Sequence, residues 1–218
     1  MSVNKVIKNY KGIIKEVKKI VKHRLNKESS GHDFWHCQRV VNLALKIGKK
    51  EKANLIVLEL AGWLHDLGAT VGRKNHEIRS AKQAKIILDR LKINPKITDR
   101  VIACIKNHRF TTGKVETLED TVLRDADKLD IIGAIGVARL FQFAGKYNRP
   151  IHDGKIAPNI ERYKTTGRSR TMMEHVYEKI FLLPNLLQTK TARKIGRNRF
   201  AFCQIYLKRF FEEWEGKL

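Results

Sequence analysis

A chain of 218 residues is long enough for one domain with a substantial core, and its 45 Lys and Arg against 22 Asp and Glu give a net charge of +23 and a pI near 10.1. No apolar run approaches the roughly twenty residues of a membrane span. No apolar leader follows the basic N-terminus, and Cys37, Cys104 and Cys203 stand singly with no CxxC pair, so the expectation is a cytoplasmic protein without membrane association or disulfides. The positive field favours an anionic partner, phosphorylated small molecules and nucleic acid alike. Most lysines nevertheless flank helix-periodic apolar positions and read as a solvated basic face.

In chain order, Ile7, Tyr10, Ile14, Val17 and Val21 set the first helical stripe and Val41, Leu45 and Ile47 the second. The spacing predicts helices over about 3–25, 34–50, 53–67, 77–91, 95–107, 118–131, 132–146, 169–183 and 189–215. No strand-like alternation or internal repeat is present, so the fold class is all-α. Pro95, Pro150, Pro158 and Pro184 fall where the periodicity stops. Residues 147–168 combine prolines, glycines and polar residues, the composition of a long loop or lid. Phe200, Ile205, Leu207, Phe211 and Trp214 recur at helical spacing among basic residues near the end. That pattern fits a docking helix better than a base-stacking surface.

Three clusters of metal-competent side chains lie in separate helical segments: HDFWHCQRV, LAGWLHDLG and LRDADKLD. In the second, His65 and Asp66 interrupt a run of apolar residues that otherwise reads as core. Burying an imidazole and a carboxylate costs several kcal/mol unless each finds a partner, and a divalent cation satisfies both. In the third, Asp125, Asp127 and Asp130 crowd together, and a bound cation reverses the sign of their repulsion. Taken one at a time, a buried histidine is a core residue and Asp33 a helix cap. Together the clusters favour an N/O divalent site.

The order His, His-Asp, Asp on successive helical blocks resembles the HD superfamily of metal-dependent phosphohydrolases. The strings HDFWHCQRVVNLA, WLHDLG, NHEIRSA, IKNHRF, LRDADKLDIIGAIGVAR and HVYEKIFLLPNLLQT are similar to its YpgQ/YedJ-like branch. The resemblance runs over most of the chain. It implies a single HD-domain helical bundle over 1–218, with a metal-binding core at about 30–145, the loop or lid at about 147–168 and C-terminal docking helices at about 169–216.

It also implies hydrolysis of a phosphate ester or anhydride, with a nucleotide as the favoured substrate, and one or two divalent ions per chain drawn from Mn, Mg, Fe, Co or Ni. By the same resemblance His36, His65, Asp66 and Asp127 are the metal ligands. Asp125 competes with Asp127 for the last place, and His32-Asp33 is a decoy doublet in a glycine-led turn. His76 and His108 match positions that hold a second metal in dinuclear members. Each also reads as a residue at a helix end. Asp66 is the candidate to orient water, and Lys128 and Arg39 are the candidate cations for the phosphoryl oxygens, with Arg139 a weaker one. Gly133 and Gly136 are read as close-packing positions. The competing functions are a basic nucleic-acid-binding protein on the same fold and a metal-containing sensor without turnover. The oligomeric state is left open.

Overall fold

A computed structural model describes residues 3–72, 74–109 and 114–218, with backbone alone for 3–9, so the Ile7 side chain and Phe110 lie outside the described residues. Every regular element among them is a helix, as expected: α1 (Val3–Arg24), α2 (Phe34–Glu51), α3 (Leu55–Leu64), α4 (His76–Arg90), α5 (Pro95–Asn107), α6 (Leu118–Leu129), α7 (Ala134–Lys146), α8 (Ile160–Thr166), α9 (Met172–Glu178) and α10 (Lys190–Trp214). Short 3-10 turns occupy Leu67–Val71 and Ile180–Leu186. No described helix is long and apolar enough to cross a membrane. The three cysteines are free and buried.

Local chemistry sets the helix starts. The Asp33 carboxylate accepts the His36 N–H at 2.8 Å, as a cap should. Asn54 caps α3 by accepting from Val57 N–H, and Asn94 caps α5 with Pro95 in the first turn.

The chain condenses into two compact units, residues 1–28 with 32–126 and residues 29–31 with 127–218. In the first, α3 packs against α1, α2 and α5, and α4 packs against α5 and the Leu67–Val71 turn. Seven of the ten α3 residues are buried, so this short helix is the centre of the unit rather than an amphipathic cover. The helices it packs against bury Val40, Ala44 and Ile47 of α2, Leu88 of α4 and Ile105 of α5, and Leu123 of α6 is buried as well. Each Val, Leu or Ile side chain so buried contributes about 1.5–3 kcal/mol. A Cβ on Gly62 would lie 2.8 Å from Val41 Cγ2, which is why α2 approaches α3 at a glycine.

The second unit is built from α7, α9 and α10, with Leu140, Met172, Met173, Val176, Cys203 and Leu207 in its core. Gly136 allows the start of α7 to lie on the Ile131 backbone, which an added Cβ would approach to 2.4 Å. The segment expected as an open loop is partly structured. It holds α8 and is strapped to α9, where the buried Glu178 accepts Asn159 N–H at 2.7 Å and Arg162 Nη2 at 3.3 Å. Fully buried Glu174 takes two bonds from Arg170. The helix expected over 169–183 is α9 followed by the 3-10 turn that contains Pro184, as a missing N–H requires.

His175 on α9 is buried, its Nδ1 2.9 Å from Ser169 Oγ. Burial first, then the nearby Lys179 and Arg149 charges, hold its pKa well below the usual imidazole range. The folded protein therefore keeps His175 neutral while the unfolded chain takes up a proton near about pH 6.5. The corresponding stability is complete above that pH and is lost as pH falls toward the folded pKa. His175→Gln should flatten the decline of Tm between about pH 7 and 5 relative to wild type. Thermal melts across that range check this, and a slope unchanged from wild type would refute it.

Candidate metal centre

α3 ends at Leu64, inside the span expected to run to 67, and this early stop shapes the centre. In a continuous helix consecutive side chains diverge by about 100°. Here Asp66 leaves helical geometry (φ −108°, ψ 10°), so His65 and Asp66 face the same interior. Both are buried, as are His36 from α2, His76 at the start of α4 and His108 just after α5.

The Asp66 carboxylate stands between two histidine pairs. Its Oδ2 lies 3.4 Å from His36 Nε2 and 3.7 Å from His65 Nε2, which are 3.3 Å from each other. Its Oδ1 lies 3.3 Å from His76 Nε2 and 3.9 Å from His108 Nε2, and that pair is 3.2 Å apart. Burial alone would raise the Asp66 pKa. Charge attraction to His65 and hydrogen bonding with His36 and His76 outweigh burial and hold it well below the carboxylate range. The group is an anion.

Two ring tautomers follow from the partners. His65 Nδ1 is 2.8 Å from the Gly62 carbonyl and His108 Nδ1 is 2.6 Å from the Ile105 carbonyl. A carbonyl only accepts, so both Nδ1 atoms carry the proton, and in the neutral rings that a metal requires both Nε2 atoms direct a lone pair inward. His76 Nδ1 faces Glu77 Oε2 at 3.4 Å, and Arg109 Nη1 lies 3.6 Å from the same oxygen.

These donors fit divalent ions. Two ligand atoms each about 2.1 Å from a common ion, at angles of 90–110°, lie about 3.0–3.4 Å apart. The edges of both triangles fall at or slightly above that spacing. Asp66, His76 and His108 form a buried group suited to a metal ion, and His36 and His65 with the other Asp66 oxygen form a second. Imidazole and carboxylate donors suit first-row divalent ions.

The structure thus brings together five of the residues singled out in the sequence: His36, His65, Asp66, His76 and His108. His76 and His108 both occupy helix ends and face the centre, so their two readings are compatible. Asp127 is half-buried on α6, and Asp125 on the same helix is fully buried. Arg39 is half-buried one turn after His36. Lys128 is buried and donates from Nζ to the Leu186 carbonyl at 2.9 Å. Arg139 pairs with Asp130 at 2.8 Å in the second unit. Glu77 escaped the sequence reading because an acidic residue in a first helical turn is ordinary. Its signal was adjacency to His76.

A helical scaffold around a buried histidine–aspartate centre defines the class of protein. The HD domain family matches residues 34–132, from the start of α2 past the end of α6. The chain is 31% identical over 206 residues to YpgQ of Bacillus subtilis, covering 92% of this chain and 93% of that one. The crystal structure of B. subtilis YpgQ in complex with ADP superposes with a TM-score of 0.73 at 29% identity, over 92% of this chain and 97% of that one. An HD-superfamily hydrolase from Bacillus thuringiensis superposes with a TM-score of 0.74 at 29% identity, over 94% and 98% of the two chains. The chain belongs to the HD-domain superfamily.

Gly68 spaces the two halves of the centre. A Cβ there would lie 2.5 Å from the His76 carbonyl oxygen and 2.7 Å from Ser80 N, whereas the glycine N–H donates to Ser80 Oγ at 2.8 Å. Gly68→Ala should destabilise the fold by about 1–3 kcal/mol, as overpacking does, and weaken metal binding as His76 is displaced from Asp66. Urea unfolding and metal analysis of the variant measure both, and wild-type values for each would contradict the spacing role.

Proposed function

We propose that this protein is a metal-dependent phosphohydrolase that cleaves a phosphate ester or anhydride, with a nucleotide as its substrate class. The observation that carries the reading is the anionic Asp66 carboxylate shared by two pairs of inward-facing imidazoles. Two related proteins support it: B. subtilis YpgQ, crystallised with ADP, and the HD-superfamily hydrolase of B. thuringiensis. The net charge of +23 adds a long-range attraction for phosphorylated substrates.

In this reading His36, His65, Asp66 and Asp127 hold one ion, and His76, His108 and the second Asp66 oxygen hold another. Helix phase supports Asp127 over Asp125. Asp120 and Arg124 of α6 both bond to the end of α5, and Asp127 follows them at i+7 and i+3 on the same stripe, whereas Asp125 is turned away by about 100° from Arg124.

When bound, such ions supply a water of lowered pKa and polarise a phosphoryl oxygen. The chain's own part is to hold His65 and His108 in their Nδ1–H tautomers, to keep Asp66 ionised where it can orient a water, and to place cations near the developing charge. Arg39, a turn along α2 from His36, and Lys128, next to Asp127, are the proposed cations for the phosphate, Lys128 once its Nζ leaves the Leu186 carbonyl.

Asp127→Ala and His65→Ala should lose metal and lower turnover by about 10²–10³-fold, whereas Asp125→Ala should retain metal. Elemental analysis of the purified variants tests the ligand set, and the opposite pattern for the two aspartates would overturn it. A nucleotide panel with each candidate divalent ion, read by separate phosphate and pyrophosphate detection, tests the activity. No turnover under any condition would favour a sensor without catalysis. Lys128→Ala should slow hydrolysis with metal content intact, and unchanged steady-state kinetics would remove Lys128 from the site.

A further inference from the structure

The two backbone carbonyls that flank His108 converge on one side chain. Arg124, buried on α6, donates from Nε to the Asn107 carbonyl at 2.5 Å and from Nη2 to the Arg109 carbonyl at 3.3 Å. Asn107 is the last residue of α5, so the first bond satisfies an orphan carbonyl at the negative pole of the helix, where a cation is favoured. The second fixes the chain as it leaves the helix. One turn earlier on α6, Asp120 Oδ2 accepts Asn107 Nδ2 at 3.0 Å and the Glu116 N–H at 3.0 Å. The end of α5 is thereby tied twice to one face of α6. His108 takes its tautomer from the Ile105 carbonyl and its place from the backbone held at 107 and 109.

We propose that Arg124 is a positioning residue for the Asp66–His76–His108 triangle: its fork fixes the backbone on both sides of His108 and so governs the affinity of that triangle for a divalent cation. The inference rests on the reading of the two triangles as ion sites. A planar guanidinium presents well-separated donors to the two carbonyls from a fixed fork, whereas a lysine ammonium gathers its donors on one nitrogen and spans the two carbonyls less well. Methionine fills similar space with no donor, leaving both carbonyls short of a partner. The fork addresses the 107–109 backbone, so the triangle of His36, His65 and Asp66 should be spared.

The test is a metal titration of the full-length protein. Wild type, Arg124→Met, Arg124→Lys and His108→Ala are stripped of metal and titrated with Mn²⁺. Calorimetry and elemental analysis count the ions, and circular dichroism follows the fold. Wild type should bind two ions per chain. Arg124→Met should bind one with unchanged affinity and the other about 10–100-fold more weakly, the usual effect of losing a group that orients a ligand. Arg124→Lys should fall between, and His108→Ala should abolish the same ion. A wild type that binds a single ion would sink the two-triangle reading and this inference with it. Two ions in wild type with both retained at full affinity in Arg124→Met would overturn the role of Arg124 alone. Equal weakening of both ions, or loss of helical signal in both Arg124 variants, would assign the residue to general stability and overturn the proposal as well.

Discussion

The buried charge on Asp66 dictates the arrangement around it. A carboxylate 2% exposed among apolar helices is tolerable only where its field is compensated, and the four imidazole nitrogens between 3.3 and 3.9 Å from it form a setting in which a cation could do so. Those imidazoles arrive from α2, α3, α4 and α5, so the helix packing of the first unit and the ligand geometry are one problem. The apolar α3 satisfies both requirements. It anchors the core through its length and then stops, so that two successive polar residues turn inward together.

Rigidity at this centre comes from short-range bonds. His65 and His108 each donate to a carbonyl three residues earlier, so each ring is fixed by the helix that carries it. What remains is to bring helix ends together. The absence of a side chain at Gly68 does this for α4, and the bonds from Asp120 and Arg124 do it for α5. A surface salt bridge such as Lys85–Asp89 contributes little by comparison, being exposed and screened.

Much of this was legible in the sequence, and the parts that were not have identifiable causes. His65 and Asp66 announce themselves because polar groups inside LAGWLHDLG contradict the apolar run around them. His76 and His108 stood out by resemblance alone, because each stands where a helix end accommodates a polar residue and only tertiary packing brings them to Asp66. The stop at Leu64 was hidden by the continuing apolar character of Leu67 and Gly68. α8 buries none of its residues, so it casts no periodic pattern. Arg124 is one of 45 basic residues, and nothing in its neighbourhood distinguishes a buried fork from a solvated face. Lys128, readable as a surface lysine, is instead tucked against the Leu186 carbonyl.

The imidazoles are not equivalent as electron donors. His65 and His108 lean on neutral amide oxygens, while His76 has the Glu77 carboxylate behind its outer nitrogen. A negative neighbour makes an imidazole a stronger Lewis base, so the donors at the two ends of Asp66 differ in strength despite their similar spacing. Ions held at the two ends of the Asp66 carboxylate would therefore meet unlike donors, and an ion that suits one end need not suit the other.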